Sequence, residues 1–273
     1  MKIIDAQVHI WGSGTPSGHH RQVPVFSVEE LLAEMDAAGI DGALIHPPQS
    51  WDPGANSIAE HAAWRYPQRF AVLGQVDLLT PEPSRALLAN WRGRPGQKGL
   101  RFPLVRVDQR DWYKDGTMDW LWPEAERLGL PVATMAGRFL TEFGEIARRH
   151  PRLKLIIDHC GLVREAQDSA AFARLDELCA LAKLPNVAVK ATGAPGYSTQ
   201  GYPYRNLHEG LHRIFDAFGP HRFFWGTDIT RMPCSWRQCV TMFTEELAWL
   251  HGQDLELVMG RGLCDWIGWE FPA

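Results

Sequence analysis

Five short apolar runs in this chain end in a residue able to do chemistry. His9 closes Ile4-Asp5-Ala6-Gln7-Val8, Arg101 ends 97–102, and Asp158-His159 follows Leu155-Ile156-Ile157. Lys190 follows Val187-Ala188-Val189, and Asp228 follows Phe223-Phe224-Trp225-Gly226-Thr227. A carboxylate, imidazoles and two cations gathered at one sheet end would serve water activation and oxyanion stabilisation. Taken singly, each has a plainer reading: a strand-end Asp caps the next helix, a His sits satisfied in the core, a Lys or Arg is a paired charge in the floor. Their common position at strand ends is what points to a site, with Asp158 expected only to orient His159 or to anchor a backbone. Residues two apart on a strand face the same side, so Gln7 projects with His9. Histidine is a good zinc ligand and a Gln amide a poor one, so position 7 bears directly on whether the first strand can hold a metal.

The elements that must position these residues alternate along the whole chain. Strands are predicted at 2–10, 41–46, 70–76, 97–102, 131–136, 153–158, 186–191 and 222–227. Amphipathic helical patterns fill the gaps at 27–39, 54–66, 81–92, 119–129, 138–150, 168–183, 205–219 and 235–250. Helix ends carry the expected punctuation, among them Gly39, Pro67, Gly129, Pro151 and Gly219-Pro220. Ser27 with Glu30 spells a capping box, and Thr141 and Asp168 are further cap candidates. Eight strand–helix alternations predict an α/β fold, a single (β/α)₈ TIM barrel over residues 1–273. An open doubly wound sheet is disfavoured because no Gly-x-Gly-x-x-Gly follows the first strand. The long connections 11–26, 47–53, 103–118 and 192–204 all follow strands, so in a barrel they crowd the face where chemistry occurs.

Composition excludes several classes of function. A net charge of −4 without a basic cluster gives nucleic acid no footing, and no apolar run is long enough to span a bilayer. The chain enters a strand at once, leaving no room for a signal peptide, and its five cysteines form no CxxC pair. A cytoplasmic protein acting on a small molecule is expected; assembly into a homo-oligomer is left open. Twelve tryptophans are many, and Trp11, Trp51 and Trp112 fall in loops where they could line a pocket for a ring-shaped ligand. His46, His19-His20, Tyr197 and Arg231 are further pocket candidates on position alone. His208 and His212 have a metal-binding spacing, but on a helix that lies outside the barrel.

At these residues the chain resembles the amidohydrolase superfamily, in the group that holds sugar-lactone and pyrone-dicarboxylate lactonases and metal-dependent decarboxylases. The matching pieces, in order, are Ile4-Asp5-Ala6-Gln7-Val8-His9-Ile10-Trp11, Lys98-Gly99-Leu100-Arg101-Phe102, Ile157-Asp158-His159-Cys160-Gly161, Val189-Lys190 and Trp225-Gly226-Thr227-Asp228. Met259-Gly260-Arg261-Gly262 and Trp266-Ile267-Gly268-Trp269 resemble the group's closing helix. The resemblance implies a site built from His9, His159 and Asp228, with Asp228 deprotonating the attacking water and Arg101 meeting a substrate carboxylate or carbonyl. Two departures stand out: Gln7 replaces the first histidine of a His-x-His pair, and Val132-Ala133-Thr134-Met135 offers no histidine on the fifth strand.

Together these readings predict a hydrolase of a small anionic lactone or related ester, metal-independent or weakly metal-dependent. Asp228, His159 and His9 are the expected catalytic residues. Gln7, Arg101, Lys190, Trp11, His46, Tyr197 and Arg231 are expected to bind substrate, with Lys190 sharing the oxyanion with Arg101 and His159 assisting as acid. No cofactor is the first expectation. The alternative is one divalent metal such as zinc, held by His9, His159 and Asp228, in a decarboxylase of a small unsaturated or aromatic acid. A third reading is a barrel that binds a small ligand without turnover.

Overall fold

Runs of largely buried, mostly apolar residues form eight parallel strands in a computed structural model that describes residues 1–271. They are β1 (Ile4–Val8), β2 (Gly42–Ile45), β3 (Phe70–Gly74), β4 (Gln97–Phe102), β5 (Val132–Thr134), β6 (Leu155–Ile157), β7 (Val187–Thr192) and β8 (Phe223–Gly226). Each pairs with its sequence neighbour, in the order β1 to β8. The ring closes at its C-terminal end, where the Asp228 backbone N–H donates to the Gln7 carbonyl at 2.8 Å. This is the predicted (β/α)₈ barrel; β4 and β7 have the expected length, and the other six strands are shorter than the sequence pattern because their flanks run on into loops.

Two packed layers follow from the alternation of side chains. Ala6, Leu44, Ala71, Leu73, Ala133, Ile156, Ala188 and Phe224 form one buried cluster, capped by Leu263, Ile267 and Trp269 of the closing segment. Outward residues such as Val72, Leu100, Val132 and Val189 pack against the surrounding helices. Those include α1 (Val28–Ala38), α2 (Ala55–Arg65), α3 (Pro81–Leu88), α4 (Leu121–Leu128), α5 (Leu140–Arg149), α6 (Leu175–Ala180), α7 (His208–Phe218) and α8 (Trp236–Thr241). The Ser27–Glu30 capping box forms at α1, and Gly39 ends that helix at φ 77°.

Three expectations are corrected. The stretch 168–183 is not one helix: a 3₁₀ turn at Asp168–Phe172 precedes α6. Asp168 does not cap it; its carboxylate instead receives Thr199 N–H (2.9 Å) and the Thr199 hydroxyl (2.7 Å), tying down the loop after β7. Thr141 lies inside α5, whose cap position is Phe139. Among the described residues no helix is long and apolar enough to cross a membrane.

Gly226 shows why the closure admits no side chain at that point. A Cβ there would lie 2.7 Å from the Ala6 backbone nitrogen and 2.9 Å from Asp5 Oδ1. Asp5 fills the seam instead. Fully buried, it accepts the backbone N–H groups of Gln7 and Thr227, each at 2.9 Å, the indole N–H of Trp236 at 2.9 Å, and the Thr227 hydroxyl. Burial outweighs the pull of those donors and leaves its carboxyl raised to about 7. A side chain thus bonds the first strand to the last and sets Asp228, the next residue after Thr227, at the mouth.

Candidate active site

Two strand-end residues adopt backbone conformations that non-glycine residues rarely occupy. His159 (φ 53°) and Asp228 (φ 56°) both turn left-handed directly after their strands, which swings their side chains back over the barrel axis. Such conformations cost of order 1–3 kcal/mol each and persist where the surroundings over-determine them. The surroundings here are a continuous polar network.

Its floor is ionic. Asp158 accepts Arg101 Nε at 2.7 Å on one oxygen and faces the Lys190 ammonium at 2.7 Å on the other, all three buried. Burial alone would raise the Asp158 carboxyl, but Lys190 and Arg101 outweigh it and hold it well below the usual range. Lys190 also lies 3.0 Å from His46 Nε2 and donates to Gln7 Oε1 at 2.8 Å. An ammonium can only donate, so the Gln7 oxygen must face it, and the Gln7 NH₂ is thereby turned upward. That NH₂ lies 3.2 Å from Asp228 Oδ2 and 3.3 Å from His159 Nε2.

The upper layer follows from that orientation. Asp228 Oδ2 receives a second donor, Arg231 Nη1, at 3.3 Å, and the same nitrogen lies 3.4 Å from His159 Nε2. His159 Nδ1 is engaged by the Thr192 carbonyl (3.1 Å) and hydroxyl (2.9 Å). With Nδ1 carrying the proton to that carbonyl, Nε2 is left as an acceptor facing two donors. Burial drives His159 and His9 down to about 3 and His20 to about 4. Burial would by itself raise Asp228; its imidazole neighbours and Arg231 outweigh that and keep it well below the ordinary carboxylate range. With the imidazoles neutral, Arg231 is its standing counter-charge.

Asp228 Oδ1 is different: it is buried and has no hydrogen-bond partner among the described residues. His9 Nε2 lies 3.3 Å from it and His20 Nδ1 4.0 Å. His9 donates through Nδ1 to the His46 carbonyl, so its Nε2 presents a lone pair towards the bare carboxylate oxygen. Two acceptors facing each other need a shared donor or a cation between them.

A cleft above this layer is lined by His9, His20, Trp51, Arg101, Asp228 and Arg231. It continues past His159 and Arg164 into a chamber of about 260 Å³ bounded by Leu104, Phe139, Leu162 and Tyr197. The structure therefore brings Gln7, His9, Arg101, His159, Asp228 and Arg231 together, with Tyr197 on the inner chamber wall. Lys190 and His46 do not reach the cleft; they lie beneath Gln7, so Lys190 is a floor residue and not an oxyanion donor. Trp11 is also corrected: buried, it donates to the Val23 carbonyl (3.0 Å) and supports Trp51, whose ring reaches the cleft in its place. His159 has no Nε2 proton to give, so the acid role expected of it is replaced by that of an acceptor.

The ligand set His9, His159 and Asp228 is not assembled around one point, because His9 faces Oδ1 while His159 lies 3.8 Å from Oδ2. The space between Gln7, His159 and Asp228 does not suit a metal: it holds the Gln7 NH₂ and the Arg231 guanidinium. Among the described residues, the possible ligand atoms within 4.8 Å of one another belong to His9, His20 and Asp228. Those residues suit a divalent ion, offering two neutral imidazoles and a bare carboxylate oxygen. Two residues of the site and its support had little sequence signal: Arg164, which lines the cleft from a loop of no motif, and Asp5, a structural carboxylate whose partners Thr227 and Trp236 are over 220 residues away.

Known proteins share this architecture. The chain is 25% identical to L-fucono-1,5-lactonase of Burkholderia ambifaria over 240 residues, covering 82% of this chain and 79% of that one. A crystal structure of an amidohydrolase from Burkholderia multivorans with bound zinc superposes with a TM-score of 0.80 at 21% identity, covering both chains fully. A protein from Pseudomonas putida, provisionally assigned as a 2-pyrone-4,6-dicarboxylic acid hydrolase, superposes at 0.73 with 22% identity over 99% of each chain. The amidohydrolase family model matches residues 4–268, and a chain matched over nearly its whole length, with strand-end residues meeting at the barrel mouth, belongs to the amidohydrolase family and is a hydrolase.

Proposed function

We propose that this protein hydrolyses the lactone of a small, anionic acid, with Asp228 as general base. One observation carries the reading. Asp228 is oriented by Gln7 and Arg231 on Oδ2, which leaves Oδ1 bare and facing His9 and His20 on the cleft. A water seated there would donate one proton to Oδ1 and one to His9 Nε2, with a lone pair left for a carbonyl carbon. Attack transfers the water proton to Oδ1. Arg101 and Arg231, the guanidinium groups lining the cleft, are placed to stabilise the charge that develops on the carbonyl oxygen. Collapse of that oxyanion expels the ring alkoxide, which takes up the proton that Asp228 accepted.

A lactone suits this machinery because its ring ester needs a base and oxyanion donors rather than an unusually strong electrophile. His9, His20 and Asp228 Oδ1 would hold a divalent ion in place of that water, and the ion would supply a more acidic water of its own. Arg164, on the wall shared by cleft and chamber, supports an anionic substituent on the substrate. The named lactonases among the relatives support the reaction class. The experiment is a pH-stat screen of sugar 1,5-lactones and carboxylated pyrone-type lactones. Turnover of a member of this panel, lost in Asp228→Asn, is the expected result. Absence of turnover across the panel, with decarboxylation of aromatic acids instead, would overturn it.

A further inference from the structure

The three groups around Asp228 Oδ1 carry more than a water site. We propose that His9, His20 and Asp228 Oδ1 form a divalent-cation site, with His20 from the first loop supplying the ligand that position 7 does not.

Geometry supports this first. Two ligands of a tetrahedral zinc at about 2.0–2.1 Å stand roughly 3.3 Å apart. His9 Nε2 and Asp228 Oδ1 are 3.3 Å apart, and a ring nitrogen of His20 lies within 4.8 Å of both. Second, Oδ1 is a buried, anionic oxygen with no hydrogen-bond partner among the described residues. Third, His9 is held as a metal-binding imidazole commonly is, its far ring nitrogen donating to a backbone carbonyl, that of His46.

His20 is not a stray loop residue. Its Nδ1, which faces Oδ1 at 4.0 Å, also lies 2.8 Å from the Thr230 hydroxyl, a contact it would exchange for a bound ion; Arg21 N–H donates to the Thr230 carbonyl at 2.9 Å and fastens the first loop to the segment that carries Asp228. Its ring stands edge-on to His9 at 5.2 Å and against Trp51 at 5.0 Å. Two imidazoles and one carboxylate select a zinc-like transition ion over magnesium or calcium, which take oxygen ligands. On this arrangement the ion sits on the Oδ1 side of Asp228, away from Gln7 and Arg231, and His159 takes no part.

The test does not depend on the lactonase reading, since it measures binding without substrate. Chelator-treated full-length protein is titrated with Zn²⁺ by calorimetry and with Co²⁺ by visible absorption. One equivalent should bind, with cobalt bands of four- or five-coordination. His20→Ala should weaken binding at least tenfold and His159→Ala by less than about threefold, differences on the scale that single ligand-sphere changes produce. Should His20→Ala fold poorly by circular dichroism, His20→Gln keeps the ring's volume and is held to the same criterion. No stoichiometric binding by the unmodified protein would overturn the proposal. So would loss on His159→Ala with His20→Ala unaffected, which would put the ion on the Gln7 side.

Discussion

The side-chain amide of Gln7 donates to Asp228 Oδ2 at 3.2 Å while its oxygen accepts from Lys190 at 2.8 Å. A residue whose oxygen would be a weak metal ligand is therefore used as a donor, and the ammonium beneath it decides which way round it sits. Gln7→Leu removes the donor and leaves Lys190 short of a partner. A hydrogen bond to a charged group contributes about 1.5–3 kcal/mol, so kcat should fall about 10- to 150-fold. Steady-state kinetics at saturating lactone would check it, and an unchanged kcat would remove Gln7 from the machinery.

Asp228→Asn keeps the shape and removes the carboxylate proposed as the base. General-base catalysis is worth about 10²–10⁴ in rate, and a loss of that size in kcat with little change in KM is expected. A change confined to KM would make Asp228 a binding residue.

Arg164 is a test of substrate charge. It lines both the cleft and the chamber. Arg164→Met should raise KM for carboxylated lactones about tenfold or more, the scale of one lost charge-assisted hydrogen bond, and leave neutral sugar lactones within about twofold. Equal effects on both sets would refute the anionic preference.

Activity should fall on the alkaline side. Burial lowers Lys190 to about 8, against the attraction of Asp158. The ammonium form donates to Gln7 and pairs with Asp158; it is lost as pH rises through about 8, where an ordinary lysine would still be charged. After subtraction of spontaneous hydrolysis, kcat/KM should decline above pH 8. Because the folded pKa lies below the unfolded one, this group makes stability rise with pH over the same interval, so unfolding does not explain the decline. A profile flat to pH 10 would count against the role given to Lys190.

The Asp5 seam governs stability rather than chemistry. Trp236→Phe deletes one donor to a buried carboxylate and should cost about 1–3 kcal/mol. Denaturant unfolding would measure it. A variant as stable as the parent would mean that the remaining donors suffice.

Much of this protein is legible along the chain because its signals are local. Apolar runs of strand length alternating with amphipathic helices specify the barrel, and a residue placed directly after such a run must sit at the mouth; His9, His159 and Asp228 were identifiable on that ground. What side chains do once there depends on partners hundreds of residues away. Arg101 and Lys190 occupy similar sequence settings, yet Arg101 lines the cleft while Lys190 lies within β7, below Gln7, and neutralises Asp158. Trp11 and Trp51 are both loop tryptophans, and only packing puts one under the other. The order of residues along the chain is enough to specify the barrel, the face that its strand-end residues share and the presence of Gln two residues before His9. Only the folded chain shows that the Gln7 amide points its NH₂ at Asp228 and that Oδ1 of Asp228 faces His9 while Oδ2 faces His159, since these groups meet only when the barrel closes.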